Sequence, residues 1–137
     1  MDYSQAFAIS ASGMNLERTR VEVAALNLAN ANTVAGPDGK VYTPLRVAVR
    51  ATFGEAVSRG LQAATPQVEA VPLEPRMVYD PAHPQANARG FVAHAPVDTA
   101  TEMVTLMGAM RAYEANVAAM NTARNLALKA LEIGGNP

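Results

Sequence analysis

DTATEMVTLMGAMRAYEANVAAMNTARNLALKALEIG, running from Asp98 to Gly134, is the stretch whose reading decides the fold. Apolar residues recur in it at alternating steps of three and four: Met103, Leu106, Met110, Tyr113, Val117, Met120, Ala127 and Leu131, with Arg124 interrupting the row. That spacing predicts the seam of a coiled-coil helix sustained over about four heptads. A second row, Ala109, Ala112, Asn116, Ala119, Ala123, Leu126, Ala130 and Ile133, lies about 120° around the same helix. The first row is bulky and the second mostly alanine. A helix apolar on two faces needs more than one neighbour. Thr99 with Glu102 has the form of a capping box at its start, and Gly134-Gly135 that of a stop. Such a helix would be roughly 50 Å long.

The N-terminal segment, from about Ser4 to Ala31, repeats the pattern. Phe7, Ala11, Met14, Val21, Ala25 and Leu28 form one row with Arg18 as the exception, and Ile9, Leu16, Val23 and Leu26 form another. Ser4 is a candidate cap, and Arg18 with Glu22 is a candidate i,i+4 ion pair. Asn27, Asn30 and Asn32 crowd the end of the segment, and Val34 to Gly39 terminates it. Asparagine readily takes the left-handed cap conformation, and Gly36-Pro37 cannot continue a helix.

Between the helices, residues 36–96 hold eight of the nine prolines. Val41 to Thr43 and then Leu45 to Phe53, where Leu45, Val47 and Val49 alternate with Arg46, Ala48 and Arg50, predict a half-buried strand. Gln67 to Val71, Arg76 to Tyr79 and Gly90 to His94 are shorter strand candidates. Prolines 66, 72 and 75 confine the Ala63 to Pro75 stretch to a loop or an edge. The organisation is mainly α with a small β insert: a terminal helix in 1–35, a β-rich insert in 36–96 and a second terminal helix in 97–137. The two long helices are expected to pair as an antiparallel coiled coil. That pairing uses one apolar face of each and leaves the other for helices of other chains.

Composition narrows the class. Half of the 137 residues are hydrophobic but only 5% are aromatic, and much of the apolar half is alanine, which buries little area per residue. Assembly is therefore an expected source of stability. A net charge of -1 argues against a nucleic-acid surface. The absence of cysteine excludes disulfide and thiolate chemistry. No run approaches the ~18 apolar residues of a membrane helix. The acidic MDYSQAFAIS start lacks the basic region of a cleavable secretory signal.

Little in the sequence speaks for catalysis. Asp80-Pro81-Ala82-His83-Pro84 holds an Asp and a His, but the prolines favour a rigid turn and no third or fourth metal ligand accompanies them. His94 reads as a strand-end residue. There is no P-loop, dinucleotide fingerprint or nucleophile elbow. The expectation is a protein that is not an enzyme and has no cofactor, catalytic site or metal site. Arg111, Glu114 and Arg124 lie in or beside the bulky seam of the long helix, where charges either sit on a solvated face or fix register and partner choice. Asn27, Asn30 and Asn116 are unusual in such alanine-rich helices and are candidates for inter-helix hydrogen bonds. The methionines at 103, 110 and 120 read as adaptable packing residues.

Three segments carry a resemblance. Ile9 to Met14 (ISASGM) with Ala25 to Thr33 (ALNLANANT) resembles the start of bacterial flagellar rod and hook proteins. Glu102-Met103-Val104 with Arg111 to Val117 (RAYEANV) resembles the C-terminal helix of the same family. Tyr79 to Pro84 with Gly90-Phe91-Val92 resembles the middle of its short proximal-rod members. The resemblance implies a structural subunit of the basal-body proximal rod, which polymerises with other rod proteins and copies of itself. It implies export through the flagellar type III apparatus without a cleaved signal, assembly in the periplasm, and contact with the export-gate adaptor at the rod base. It also implies that the terminal helices wall the export channel and that the rod carries motor torque. No membrane insertion or nucleic acid enters this picture. The expected subunit-interface residues are Phe7, Met14, Val21, Leu28, Asn27 and Asn30 on the first helix. On the second they are Met103, Met110, Arg111, Tyr113, Glu114, Asn116, Val117, Met120, Arg124 and Leu131. The alternative is a soluble helical adaptor, a chaperone-like binding module folded as a small oligomer.

Overall fold

A computed structural model describes residues 3–49 and 65–135. Two long helices enclose the chain's small β insert. Helix α1 spans Tyr3–Ala29 and α2 spans Thr99–Gly134. Between them lie strands β1 (Leu45–Val49), β2 (Pro66–Ala70), β3 (Arg76–Tyr79) and β4 (Phe91–His94). They form two separate antiparallel ribbons, β1–β2 with Leu45 opposite Ala70 and β3–β4 with Tyr79 opposite Phe91. The strand expected from Leu45 is present through Val49, and its continuation to Phe53 lies outside the described residues. Val41 to Thr43 is not strand. β2 begins at Pro66, whose missing N–H suits an edge position.

The helix ends differ in detail from the sequence expectation. α2 is capped by Asp98, whose Oδ1 accepts from the Thr101 N–H at 3.0 Å, so the cap lies one residue before Thr99 and no Thr99–Glu102 box forms. α1 begins at Tyr3, which puts Ser4 inside the first turn. Its end takes no left-handed asparagine, since no described non-glycine residue has positive φ. Instead it tightens into i→i+3 turns, with the Ala31 N–H on Leu28 O and the Thr33 N–H on Asn30 O.

The helices pack against each other and run antiparallel. Ala24 lies beside Thr101 and Thr105, Val21 beside Met110 and Tyr113, and Gly13 against Asn116, so position falls along α1 as it rises along α2. The packed line on α1 is Ser10, Gly13, Glu17, Arg20, Ala24 and Asn27, continued by Ala31 just past the helix end, a strict three-four alternation of small and polar residues. On α2 it is Glu102, Leu106, Ala109, Ala112, Asn116, Met120, Ala123 and Ala127; the rest of α2 is exposed. This line runs between the two rows read from the sequence and takes members of each. Small residues on both helices let the backbones approach, and that decides which line turns inward over the bulkier flanking residues.

The best-buried part of the molecule sits at one end of the helix pair. Val23, Ala24 and Asn27 near the end of α1 and Ala31 just past it are buried, and α1 packs there against β1 and β2; Val92 of β4 and Ala95 after it are also buried. The chain after α1 runs beside β4: the Ala35 N–H donates to Ala93 O and the Ala95 N–H to Thr33 O. Gly90 closes the β3–β4 ribbon at φ +79°, where a Cβ would come within 2.9 Å of the Tyr79 ring. Only glycine accommodates both constraints.

Candidate assembly interface

Because α1 presents its small residues to α2, its larger row is displaced to a flank. Phe7, Met14, Val21 and Leu28 are half-buried there. The matching row of α2 is more open, with Met103, Met110, Tyr113 and Val117 all exposed, Met110 by 50%. Val21, Met110 and Tyr113 converge on one groove of about 330 Å³, rimmed by Arg18, Glu22 and Glu114. Arg18 is held by Glu22 at 2.9 Å, the i,i+4 pair expected from the sequence. Glu114 has no ion pair among the described residues. Arg111 and Arg124 are exposed on α2. An apolar floor with a charged rim is the composition of a protein-docking surface.

The expected interface residues therefore separate into two groups. The bulky row and the charges remain on the outside, available to a neighbour. Asn27, Asn116 and Met120 turn instead into this chain's own packing. Asn27 is fully buried (0% exposed). Its Nδ2 donates to Leu45 O at 2.9 Å, and its Oδ1 accepts from the Leu45 N–H at 2.9 Å and the Tyr42 O–H at 2.8 Å. All the polar capacity of the amide except one N–H is thus spent on tying β1 and the preceding loop to α1. Burial, and secondarily the Glu102 charge, hold the Tyr42 phenol above its ordinary pKa. Asn30 donates through Nδ2 to Leu26 O, satisfying a carbonyl of the last helical turn. Asn116 donates to Ala112 O at 2.9 Å while its amide abuts Gly13.

Sequence reasoning about apolar rows did not single out Ser10, Gly13, Glu17 or Tyr42, and it read Leu45 only as a strand residue. Ser10 and Glu17 are buried, Glu17 only 7% exposed with Oε1 2.9 Å from Arg20 Nη1. Gly13 and Ser10, weak helix formers inside a long helix, were the available signal of close packing. His83 and Asp80 lie in a turn: the His83 N–H donates to Asp80 O, and His83 Nδ1 accepts from the Gln85 N–H at 3.1 Å. His94 ends β4, as expected, with Nδ1 buried and unpartnered among the described residues.

Two family models cover the terminal helices. "Flagella basal body rod protein" matches residues 7–37, and "Flagellar basal body rod FlgEFG protein C-terminal" matches residues 88–133. Among curated relatives, the flagellar basal-body rod protein FlgC of Salmonella typhimurium is 39% identical over 135 residues, covering 93% of this chain and 95% of the relative. FlgC of Escherichia coli O6:H1 is 37% identical over 128 residues with the same coverage. FlgC of Bacillus subtilis is 34% identical over 141 residues, covering 92% and 94%. These relatives align along nearly their whole length, across the β insert as well as both helices, and the chain belongs to the FlgC family of flagellar basal-body rod proteins.

Proposed function

We propose that this chain, a structural subunit of the basal-body rod, polymerises with other rod proteins and with copies of itself through the outer flanks of its two helices. The carrying observation is that Met103, Met110, Tyr113 and Val117 of α2 stay exposed beside the half-buried row of α1, around the Val21–Met110–Tyr113 groove. In this reading the paired terminal segments, 1–35 and 97–137, form the rod core as an antiparallel coiled coil around an export channel. The 36–96 insert lies outside them. Phe7, Met14, Val21, Leu28, Met103, Met110, Tyr113 and Val117 supply apolar contact, and Arg111, Glu114 and Arg124 set partner and alignment.

The same reading has the subunit leave the cytoplasm through the flagellar type III apparatus without a cleaved signal and assemble in the periplasm. There it meets the adaptor at the rod base and passes torque toward the hook. No helix among the described residues is long and apolar enough to cross a membrane. Heterologous contacts that fail to close generate an open helical assembly, which is the geometry of a shaft. A chain deleted for residues 98–137 should be absent from isolated basal bodies. A complete rod built from the truncated chain would overturn the reading.

A further inference from the structure

We propose that the open edge of β3 pairs with the same edge of a second copy, so that the free subunit forms a two-fold dimer joined through its insert. Among the described elements β3 packs only against β4. β4 is covered on both edges, by β3 on one side and by the chain after α1 on the other. β3 is not: every residue from Pro72 to Met77 is exposed, as are Tyr79 and Asp80. Met77 is 50% and Tyr79 65% exposed, large apolar side chains on a strand that ends the ribbon.

The ladder fixes which groups this edge offers. The Asp80 N–H donates to Gly90 O at 2.9 Å, and Val78 lies opposite Val92 in the same register. Hydrogen-bonded positions alternate along an antiparallel pair, so Val78 also bonds toward β4 while Met77 and Tyr79 present their N–H and C=O groups outward. Neither has a hydrogen bond on that side among the described residues. Pro75 and Pro81 bound the edge, since neither can donate to a ladder.

One antiparallel register satisfies all of the outward groups. It sets Met77 of each copy opposite Tyr79 of the other, with Val78 facing Val78 on the two-fold axis. The same register sets Arg76 of each copy opposite Asp80 of the other. A slip of two residues either way brings a proline opposite Tyr79 or Met77 and loses both charge pairs. Arg76 and Asp80 have no ion pair among the described residues. Within one strand they lie roughly 13 Å apart, too far to pair with each other. Directly opposite residues of two strands have Cβ atoms about 5 Å apart, within easy reach. The strand is thus complementary to itself in backbone groups and in charge. The contact is isologous and closes at two copies, unlike the heterologous contacts that build a shaft.

The chain has no cysteine, so introduced thiols report cleanly. Two full-length, differently tagged chains, one Met77→Cys and one Tyr79→Cys, are purified, mixed and oxidised. Both positions are exposed, so folding is spared. The expected product is a disulfide-linked dimer containing both tags, about fivefold above the dimer from either variant alone, because like positions sit on the longer diagonals. Adding Arg76→Asp to both chains should lower that yield about threefold by placing like charges opposite each other, and adding Asp80→Arg as well should restore it. Equal yields of mixed and single-tag dimers, or a mixed yield indifferent to the charge reversal, overturn the pairing. The measurement is made on the free chain, so its failure leaves the rod reading standing, and absence of the chain from basal bodies leaves the pairing standing.

Discussion

Gly13 of α1 faces the side-chain amide of Asn116 on α2 so closely that a Cβ at position 13 would lie 2.7 Å from Asn116 Oδ1 and 2.9 Å from its Cγ and Nδ2. The amide is anchored by its bond to Ala112 O, so it cannot swing away without losing that bond. The pair fixes the axial register of the two helices. Gly13→Ala gains about 1 kcal/mol of helix propensity but drives the methyl into the amide. We expect a net loss of about 1 kcal/mol. In an Asn116→Ala background the same change should stabilise by about 1 kcal/mol. Thermal unfolding followed by circular dichroism measures the coupling; additive effects would remove Asn116 as a register element.

The sequence made the architecture legible because helix periodicity and turn residues are local properties. Long α1 and α2 followed from three-four spacing, and the β2, β3 and β4 segments from short apolar runs between prolines. Which line of each helix turns inward was not legible from apolar rows. Close approach selects small residues, so Ser10, Gly13 and Ala24 face the partner while Phe7, Met14 and Val21 flank it. Asn27 drew notice as a polar residue in an apolar helix, but its partners Tyr42 and Leu45 are 15 and 18 positions away. Nothing in local spacing announces such a contact.

Asn27 joins α1 to the insert through three hydrogen bonds, to Tyr42 and to both backbone groups of Leu45. Asn27→Ala strands these groups in a buried site. The expected cost is on the order of 3 kcal/mol, or a fall in melting temperature of roughly 10–15 °C. Asn27→Asp should not rescue it, because a carboxylate cannot donate to Leu45 O. A melting temperature within about 3 °C of the parent for Asn27→Ala would mean that water replaces the amide at no cost.

Tyr42 sets an alkaline limit on that junction. Its folded pKa lies above the ordinary value near 10, with burial the larger cause and the Glu102 charge the smaller. The group titrates to an anion, so the folded state resists losing its proton more than the unfolded state does. Its contribution is fully present below pH 10 and is lost as pH rises through the raised folded value. Tyr42→Phe should lower stability at pH 7 by about 1 kcal/mol through the lost hydrogen bond and flatten the stability profile above pH 10. Denaturant midpoints measured from pH 8 to 11 on both chains provide the comparison; parallel profiles would exclude Tyr42 as the titrating group.

Arg124 differs from Asn116 in what its replacement should do. Both are polar residues in the apolar rows of α2, yet Asn116 abuts Gly13 while Arg124 is exposed with no ion pair among the described residues. Asn116→Leu would overfill the close approach at Gly13 and destabilise the subunit by about 1–3 kcal/mol. Arg124→Leu touches nothing in the subunit, so folding stability should change by no more than about 0.5 kcal/mol. Its effect should appear in assembly, because Arg124 lies in the bulky row of α2 proposed to meet other rod subunits. We expect cells carrying Arg124→Leu to swim poorly while producing a chain with an unchanged melting temperature. Normal swimming would show that Arg124 sits on a solvated face.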